Sequence, residues 1–205
     1  MAEKRYEMRT NGGYNFFHVS SAFQKSIRRG KEEDALYWAT ELFDSGYGEY
    51  VMYRSIVIAT EDVGLADPNV IVQIMALQDS WAYLKKKKNK HKPERLPLFH
   101  SVMVLARAKK SRLIDNKICQ YWELKENVER LEIPDYAFDN HTIEGRMKGR
   151  GNDYFFEESA KITNDNLDAV PEEYTYRDKV WEQYKVLDKR KKRGGDGKSQ
   201  SQLNF

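Results

Sequence analysis

The stretch "IATEDVGLADPNV", Ile58 to Val70, sets Glu61, Asp62 and Asp67 close together beside Gly64 and an Asp67-Pro68 pair. Carboxylates at this density offer two chemistries, oxygen ligands for a divalent cation or a general acid–base pair. Both need further converging groups, and no other His or Asp lies near at helical spacing. A structural role needs no more than these residues. Glu61 and Asp62 end one helix, Gly64 reverses the chain through a positive φ, and Asp67 caps the next helix with Pro68 at its first position. Carboxylates at a helix C-terminus are disfavoured by a few tenths of a kcal/mol, about the scale of the dipole effect. Glu61 and Asp62 are therefore expected to bond the amides of a neighbouring helix or to pair with Arg28, Arg29 or Arg54. The stretch reads as a corner between helices.

Other chemical candidates are weighed the same way. The histidines His18, His91, His100 and His141 share no ligand spacing, and no metal or cofactor is expected. Cys119, the single cysteine, excludes an internal disulfide and a cysteine-rich zinc module. It lies in an apolar helical stripe with Ile118 and Trp122 and reads as core; a Cys–His nucleophile would require an unseen tertiary contact. Trp38, Trp81 and Trp122 read as core or interface anchors, and Tyr37 and Trp38 are interface candidates should the chain self-associate. "HTIEGRMKGRG" sets His141, Glu144, Arg146, Lys148 and Arg150 beside glycines. That is either a phosphate-cradling nest or, the preferred reading, a loop packed down by Phe155 and Phe156. An enzyme acting on a phosphate substrate there lacks an activated nucleophile.

The densest basic run in the body is Lys85, Lys86, Lys87 and Lys88, followed by Lys90, Lys92 and Arg95. A second run, Lys189, Arg190, Lys191, Lys192 and Arg193, leads into a Gly-rich tail. Each is either solvated surface or a phosphate contact, and two clusters would allow DNA binding despite a net charge of only +3. The "GKS" at Gly197 to Ser199 is no P-loop: the motif's first glycine would fall on Lys192, outside any strand–loop–helix setting.

The elements that must position these groups are helices. The chain has 205 residues, 40% hydrophobic and 33% charged, enough for one core. From Ser20 to about Arg130 the apolar residues recur at helical spacing, with Gly30, Gly46 and Gly64 between segments. Ser20 or Ser21 is the expected first N-cap. The reading is an all-α bundle of about six core helices over 20–133, after a lead-in of 1–19. An irregular Gly- and aromatic-rich extension follows over 134–170, then a charged helix over 171–193 and a disordered basic tail over 194–205. No secretory run and no membrane-length apolar segment is visible, so a cytoplasmic protein with no membrane partner is expected.

The same residues carry a family likeness. "SSAFQKSIRRGKEEDALYWATELFDSG" and "IATEDVGLADPNV" resemble the C-terminal region of the RarA/MgsA family of replication-associated AAA+ ATPases. Ser21, Ala22, Lys25, Ser26, Ile27 and Arg28 match its first motif, Ala35 to Trp38 its second, and Glu61 to Pro68 its third. Gln24 stands where the family usually has His, Arg29 is inserted before Gly30, and Thr60 replaces the usual Ser. "RAKKSRLID" resembles a later segment without its Pro and Asn, and "MKGRGNDYFFEE" echoes a Gly- and Tyr-rich region. The resemblance implies a stand-alone helical C-terminal domain lacking the ATPase module, with no Walker motifs and no ATP hydrolysis of its own. It implies a homo-oligomer, a tetramer by family habit, of bacterial or phage origin, serving DNA replication, recombination or repair. Its expected partners are other copies, a separately encoded AAA+ ATPase or replication protein, and DNA.

Overall fold

Asn15, not Ser20 or Ser21, begins the first helix: its side-chain oxygen accepts from the Phe17 and His18 amides at 2.9 and 3.3 Å. Ser20 lies inside that helix and its hydroxyl bonds Tyr50 Oη at 2.6 Å. The computed structural model describes residues 8–163 and 175–185, and the chain divides after Glu129 into two units. All regular structure among the described residues is helical; the one β-type contact is an isolated bridge between Arg9 and Asn15.

The first unit holds six helices: α1 (Phe16–Arg28), α2 (Glu32–Leu42), α3 (Gly48–Ile58), α4 (Val70–Lys86), α5 (Arg95–Arg107) and α6 (Leu113–Ile118). α1 stops where the Gly30 and Lys31 amides donate back to the Ile27 and Ser26 carbonyls, both at 2.9 Å. α2 opens with Glu32, Glu33 and Asp34, favourable at a helix N-terminus. α5 is the central element and touches α1, α2, α3 and α4. Its buried Leu98, Ser101, Val102, Leu105 and Ala106 follow the i, i+3, i+4, i+7, i+8 rule of an amphipathic helix. Phe23, Ile27, Leu42, Met52, Ile58 and Ile74 are among the other fully buried core residues. Ser101 keeps its hydroxyl satisfied within it by donating to the Leu98 carbonyl at 2.7 Å.

Wide π-type turns extend α2 over Phe43–Tyr47, α3 over Ala59–Val63 and α6 over Cys119–Glu123. Gly64 closes the second at φ +49°. The next helix starts at Val70, beyond a turn at Pro68 and Asn69. No side chain caps that helix, and Asp67 contributes its main-chain carbonyl, which accepts from Val70 at 3.1 Å. Asp67 as a side-chain cap, with Pro68 opening the helix, is thus corrected to a lead-in turn.

The second unit contains short pieces: α7 (Ile143–Met147), a turn of helix α8 (Asn152–Tyr154) running into a wide turn at Phe155–Ser159, and a helix over 175–185. Phe156 packs on Trp181 and Tyr184 of that last helix, ring centroids 6.3 and 5.5 Å apart. Thr142 caps α7 by accepting from the Gly145 amide at 3.0 Å. Gly145 is required by contact: a Cβ there would sit 1.8 Å from the Asp139 carbonyl oxygen. The remainder of the expected final helix, and the tail, lie outside the described residues.

At Gly64 a side chain would meet both the positive φ and Ile114 Cδ1 at 2.9 Å. Gly64→Val is expected to cost about 1–3 kcal/mol or more, read as a lowered melting temperature by circular dichroism. Wild-type melting in that variant would show the turn assignment to be wrong.

Candidate functional site

Asp62 is fully buried at the end of the α3 extension, and its carboxylate gathers side chains from several elements. Its Oδ1 accepts from Arg28 Nε; its Oδ2 accepts from Gln24 Nε2 at 3.1 Å and Arg28 Nη2 at 3.4 Å. Arg28 Nη2 also donates to Glu61 Oε1 at 2.8 Å. Arg112 lies 3.9 Å from Asp62 Oδ1 and 3.6 Å from Glu61 Oε1, and is bonded to Asp115 on α6. The Ser111 amide donates to the Asp62 carbonyl at 2.9 Å, and Arg54 of α3 donates to Gln24 Oε1. Of the arginines the sequence offered, Arg28 pairs directly with the carboxylates, Arg54 acts through Gln24, and Arg29 takes no part.

A buried carboxylate is tolerable only when paired and hydrogen-bonded, and removing one partner of such a pair costs about 3–5 kcal/mol. Here both oxygens are held by fixed donors, and the Asp62 carboxylate in turn raises the Arg28 guanidinium above its ordinary pKa, chiefly through their hydrogen bond. Lys110 nearby is pushed down by burial, partly offset by Asp62, and donates to the Ala106 and Ala108 carbonyls. The arrangement clamps α1, the α3 extension and the start of α6. It presents no open ligand position, and no His/Cys/Asp/Glu cluster suited to a metal is found among the described residues. Gln24, Ser111, Arg112 and Asp115 were not singled out from sequence. All four lie within the resembling segments, which is the signal that could have marked them.

The lysine run forms the end of α4 and the loop to α5. Lys85 pairs with Glu49 at 3.0 Å and lies 4.5 Å over the buried Trp81 ring. Lys87 lies over Tyr83, Lys92 over Phe43, and Arg95 donates to the His91 and Lys92 carbonyls. Lys86, Lys88 and Lys90 are exposed and form no ion pair among the described residues. The second run, Lys189 to Arg193, lies outside the described residues.

In the second unit the candidate phosphate loop bonds its cations to its own oxygens. Lys148 Nζ is 2.9 Å from Asp135 Oδ1, and Arg150 bonds Asp135 Oδ2 and the Asp135 and Phe138 carbonyls. Arg146 donates to the Asn140 and His141 carbonyls at 3.2 Å, and His141 Nδ1 lies 3.1 Å from Asp139 Oδ2. A phosphate would have to displace these bonds, so the geometry is that of a self-satisfied loop.

Cys119 is half-buried, while Ile118 and Trp122 are exposed, Trp122 at 81%. The stripe expected to be core is surface, because α6 is short and packs only its other side on the turns at 59–66. Partial burial and the Glu123 carboxylate push the Cys119 thiol up, the reverse of an activated nucleophile. Trp38 is half-buried between Tyr14 and Tyr37, leaving Tyr37 as the exposed member of that pair.

Lys148 and Arg150, with Tyr154, hold the Asp135 carboxyl down at about 2 from 3.8. A depressed carboxyl contributes its stability above about pH 4 and loses it as pH falls towards 2. Amide shifts of 135–154 should therefore titrate in that window, and Asp135→Asn should abolish the step. An unchanged acid transition in the variant would contradict the clamp.

Among the described residues no helix is long and apolar enough to cross a membrane. The family model "MgsA AAA+ ATPase C terminal" matches residues 30–195. Replication-associated recombination protein A of Bacillus subtilis (strain 168) is 32% identical over 144 residues, covering 67% of this chain and 32% of that protein. Its counterpart in Escherichia coli (strain K12) is 39% identical over 70 residues, covering 34% and 16%. ATPase WRNIP1 of Dictyostelium discoideum is 25% identical over 157 residues, covering 74% and 17%. The chain thus spans about a third or less of the length of these relatives. With an all-helical fold built around the Glu61–Pro68 corner, this chain belongs to the MgsA AAA+ ATPase C-terminal family.

Proposed function

We propose that this chain is a non-catalytic assembly module serving DNA replication or recombination in the cytoplasm, and that it self-associates. The observation that carries this reading is the apolar surface at the end of α6. Ile118, Tyr121, Trp122 and Leu124 are all exposed within seven residues of chain. Solvent-facing apolar groups at this density mark an association surface, and tryptophan is enriched among the residues that anchor interfaces. The family's replication-associated members supply the setting. The acidic motif supports a non-catalytic role, since its carboxylates are engaged in the clamp. Tyr37 is a further candidate contact.

A second reading rests on Lys86, Lys88 and Lys90, which form no ion pair among the described residues and lie at the end of α4 and in the loop that follows: they contact the phosphates of DNA in an accessory role. A separately encoded AAA+ ATPase is the alternative occupant of the apolar surface.

Native mass by light scattering, at low and physiological salt, tests the first reading. A mass about four times 24.2 kDa is expected, and Trp122→Ser should reduce it to a monomer without lowering the melting temperature. A wild-type monomer would overturn self-association. Reversing Lys86, Lys88 and Lys90 to Glu should leave the mass unchanged and, on the second reading, abolish retention on DNA; unaltered retention would reject that reading.

A further inference from the structure

Four segments of the first unit meet around a pocket of about 170 Å³: the wide turn Phe43–Tyr47, the start of α3, the end of α4 and the residues just before α5. Phe43 and Trp81 supply its aromatic walls. Gly48 lets the Phe43 ring stand where it does, since a Cβ at 48 would lie 2.8 Å from that ring. A cavity of about 150 Å³ takes a single benzene ring, so this one suits a molecule of only a few more atoms.

The charges of the lining are balanced but not all paired. Glu49, Glu94, Lys85 and Lys92 contribute two of each sign. Lys85 and Glu49 neutralise each other at 3.0 Å, and Lys85 also lies over the Trp81 ring. Lys92 and Glu94 remain. Neither forms an ion pair among the described residues, with the other or with any third group. Lys92 Nζ lies 5.7 Å over the Phe43 ring, a contact that steadies the ammonium and leaves its charge in place. Its backbone adopts φ +48°, a conformation that an L residue keeps only where its surroundings hold it.

Glu94 stands at the N-cap position of α5, and its side chain caps no amide. Its Oε2 is buried and accepts no hydrogen bond among the described residues; Trp81 Nε1 is likewise buried and donates none. Buried polar atoms nearly always have partners, and these two belong to the lining of one pocket.

An ammonium and a carboxylate that line one pocket without pairing are matched by a ligand that carries both charges in the opposite sense. A bare anion would meet Glu94 and Glu49, and a bare cation would have to displace the lysines from the rings. A peptide carries its terminal charges on separate residues, too far apart for a pocket of this size. We propose that the pocket binds a free α-amino acid with a small apolar side chain, its carboxylate at Lys92, its ammonium at Glu94 and its side chain against Phe43 and Trp81. Such a ligand braces the junction of α2, α3, α4 and α5 by binding the folded chain alone. The site uses neither the α6 surface nor Lys86, Lys88 and Lys90, so it stands or fails independently of both readings above.

The test uses the whole chain, isotope-labelled, with L-valine as the probe and the Trp81 indole and Gly46 and Gly48 amide signals read by NMR. Saturable shifts are expected, with half-saturation at or below about 1 mM, within reach of a ligand of about eight heavy atoms. N-acetyl-L-valine lacks the ammonium and L-valinamide lacks the carboxylate. Each should bind at least about tenfold more weakly, the loss of one charged hydrogen-bonding group. Lys92→Met should weaken valine about tenfold and leave valinamide nearly unchanged; Glu94→Gln should weaken valine similarly and leave N-acetylvaline nearly unchanged. The analogues act on the unaltered chain, so they decide the matter even if a variant fails to fold. Any of three results overturns the proposal: no shift of the pocket signals at about 20 mM valine, far above the half-saturation expected; analogues that bind as tightly as valine; or folded Lys92→Met and Glu94→Gln chains that bind valine as the wild type does.

Discussion

Everything in the first unit is arranged around the burial of the Asp62 carboxylate. A charge with no solvent access must be matched by fixed donors, and those donors must come from wherever the chain can supply them. Arg28 and Gln24 come from α1, one helical turn apart, and the Ser111 amide and Arg112 come from the far side of α5. Segments distant in sequence are thereby fixed to one point. The wide turn at Ala59–Val63 and the positive φ at Gly64 follow from this demand. A regular α-helical exit from α3 would carry the carboxylate elsewhere, and an L side chain at 64 would push α6 away through Ile114.

The clamp also explains why the acidic motif is not chemistry. A catalytic or metal-binding carboxylate keeps an oxygen facing its substrate or ion; Asp62 has none free. What remains available on this unit is surface: the apolar end of α6 and the lysines at the end of α4 and in the loop after it, which form no ion pair among the described residues. α5, buried along one face and touching four other helices, is the frame against which these surfaces are held. Rigid elements presenting anchors outward is what an interaction module requires.

The helices and their breaks were legible in the sequence because glycines and apolar period coincide: Gly30 and Gly64 stop α1 and the α3 extension where the period ends. That the acids need a partner was legible as well, with helix amides, Arg28, Arg29 and Arg54 all open to them, and the fold selects Arg28. The starting residue of α1 was not. Ser20 and Ser21 are as good caps as Asn15 by residue type, and the choice is made by tertiary contacts, including the use of the Ser20 hydroxyl by Tyr50. Trp122 and Ile118 show a second limit: helical spacing reveals that apolar residues share a face, but not whether anything covers it. Lys148 and Arg150 mark another limit, a visible basic cluster that the fold pairs with its own Asp135.

The central claim is that the Arg28–Asp62 pair is the structural linchpin of the family motif. A double-mutant cycle with Arg28→Met and Asp62→Asn, followed by urea unfolding, measures it directly. Each single change should cost about 3 kcal/mol, and the pair together much less than the sum, with a coupling of at least about 1.5 kcal/mol. Costs that add to within about 0.5 kcal/mol would mean the two groups stabilise the fold independently, and the clamp would not be what holds α1 to the corner.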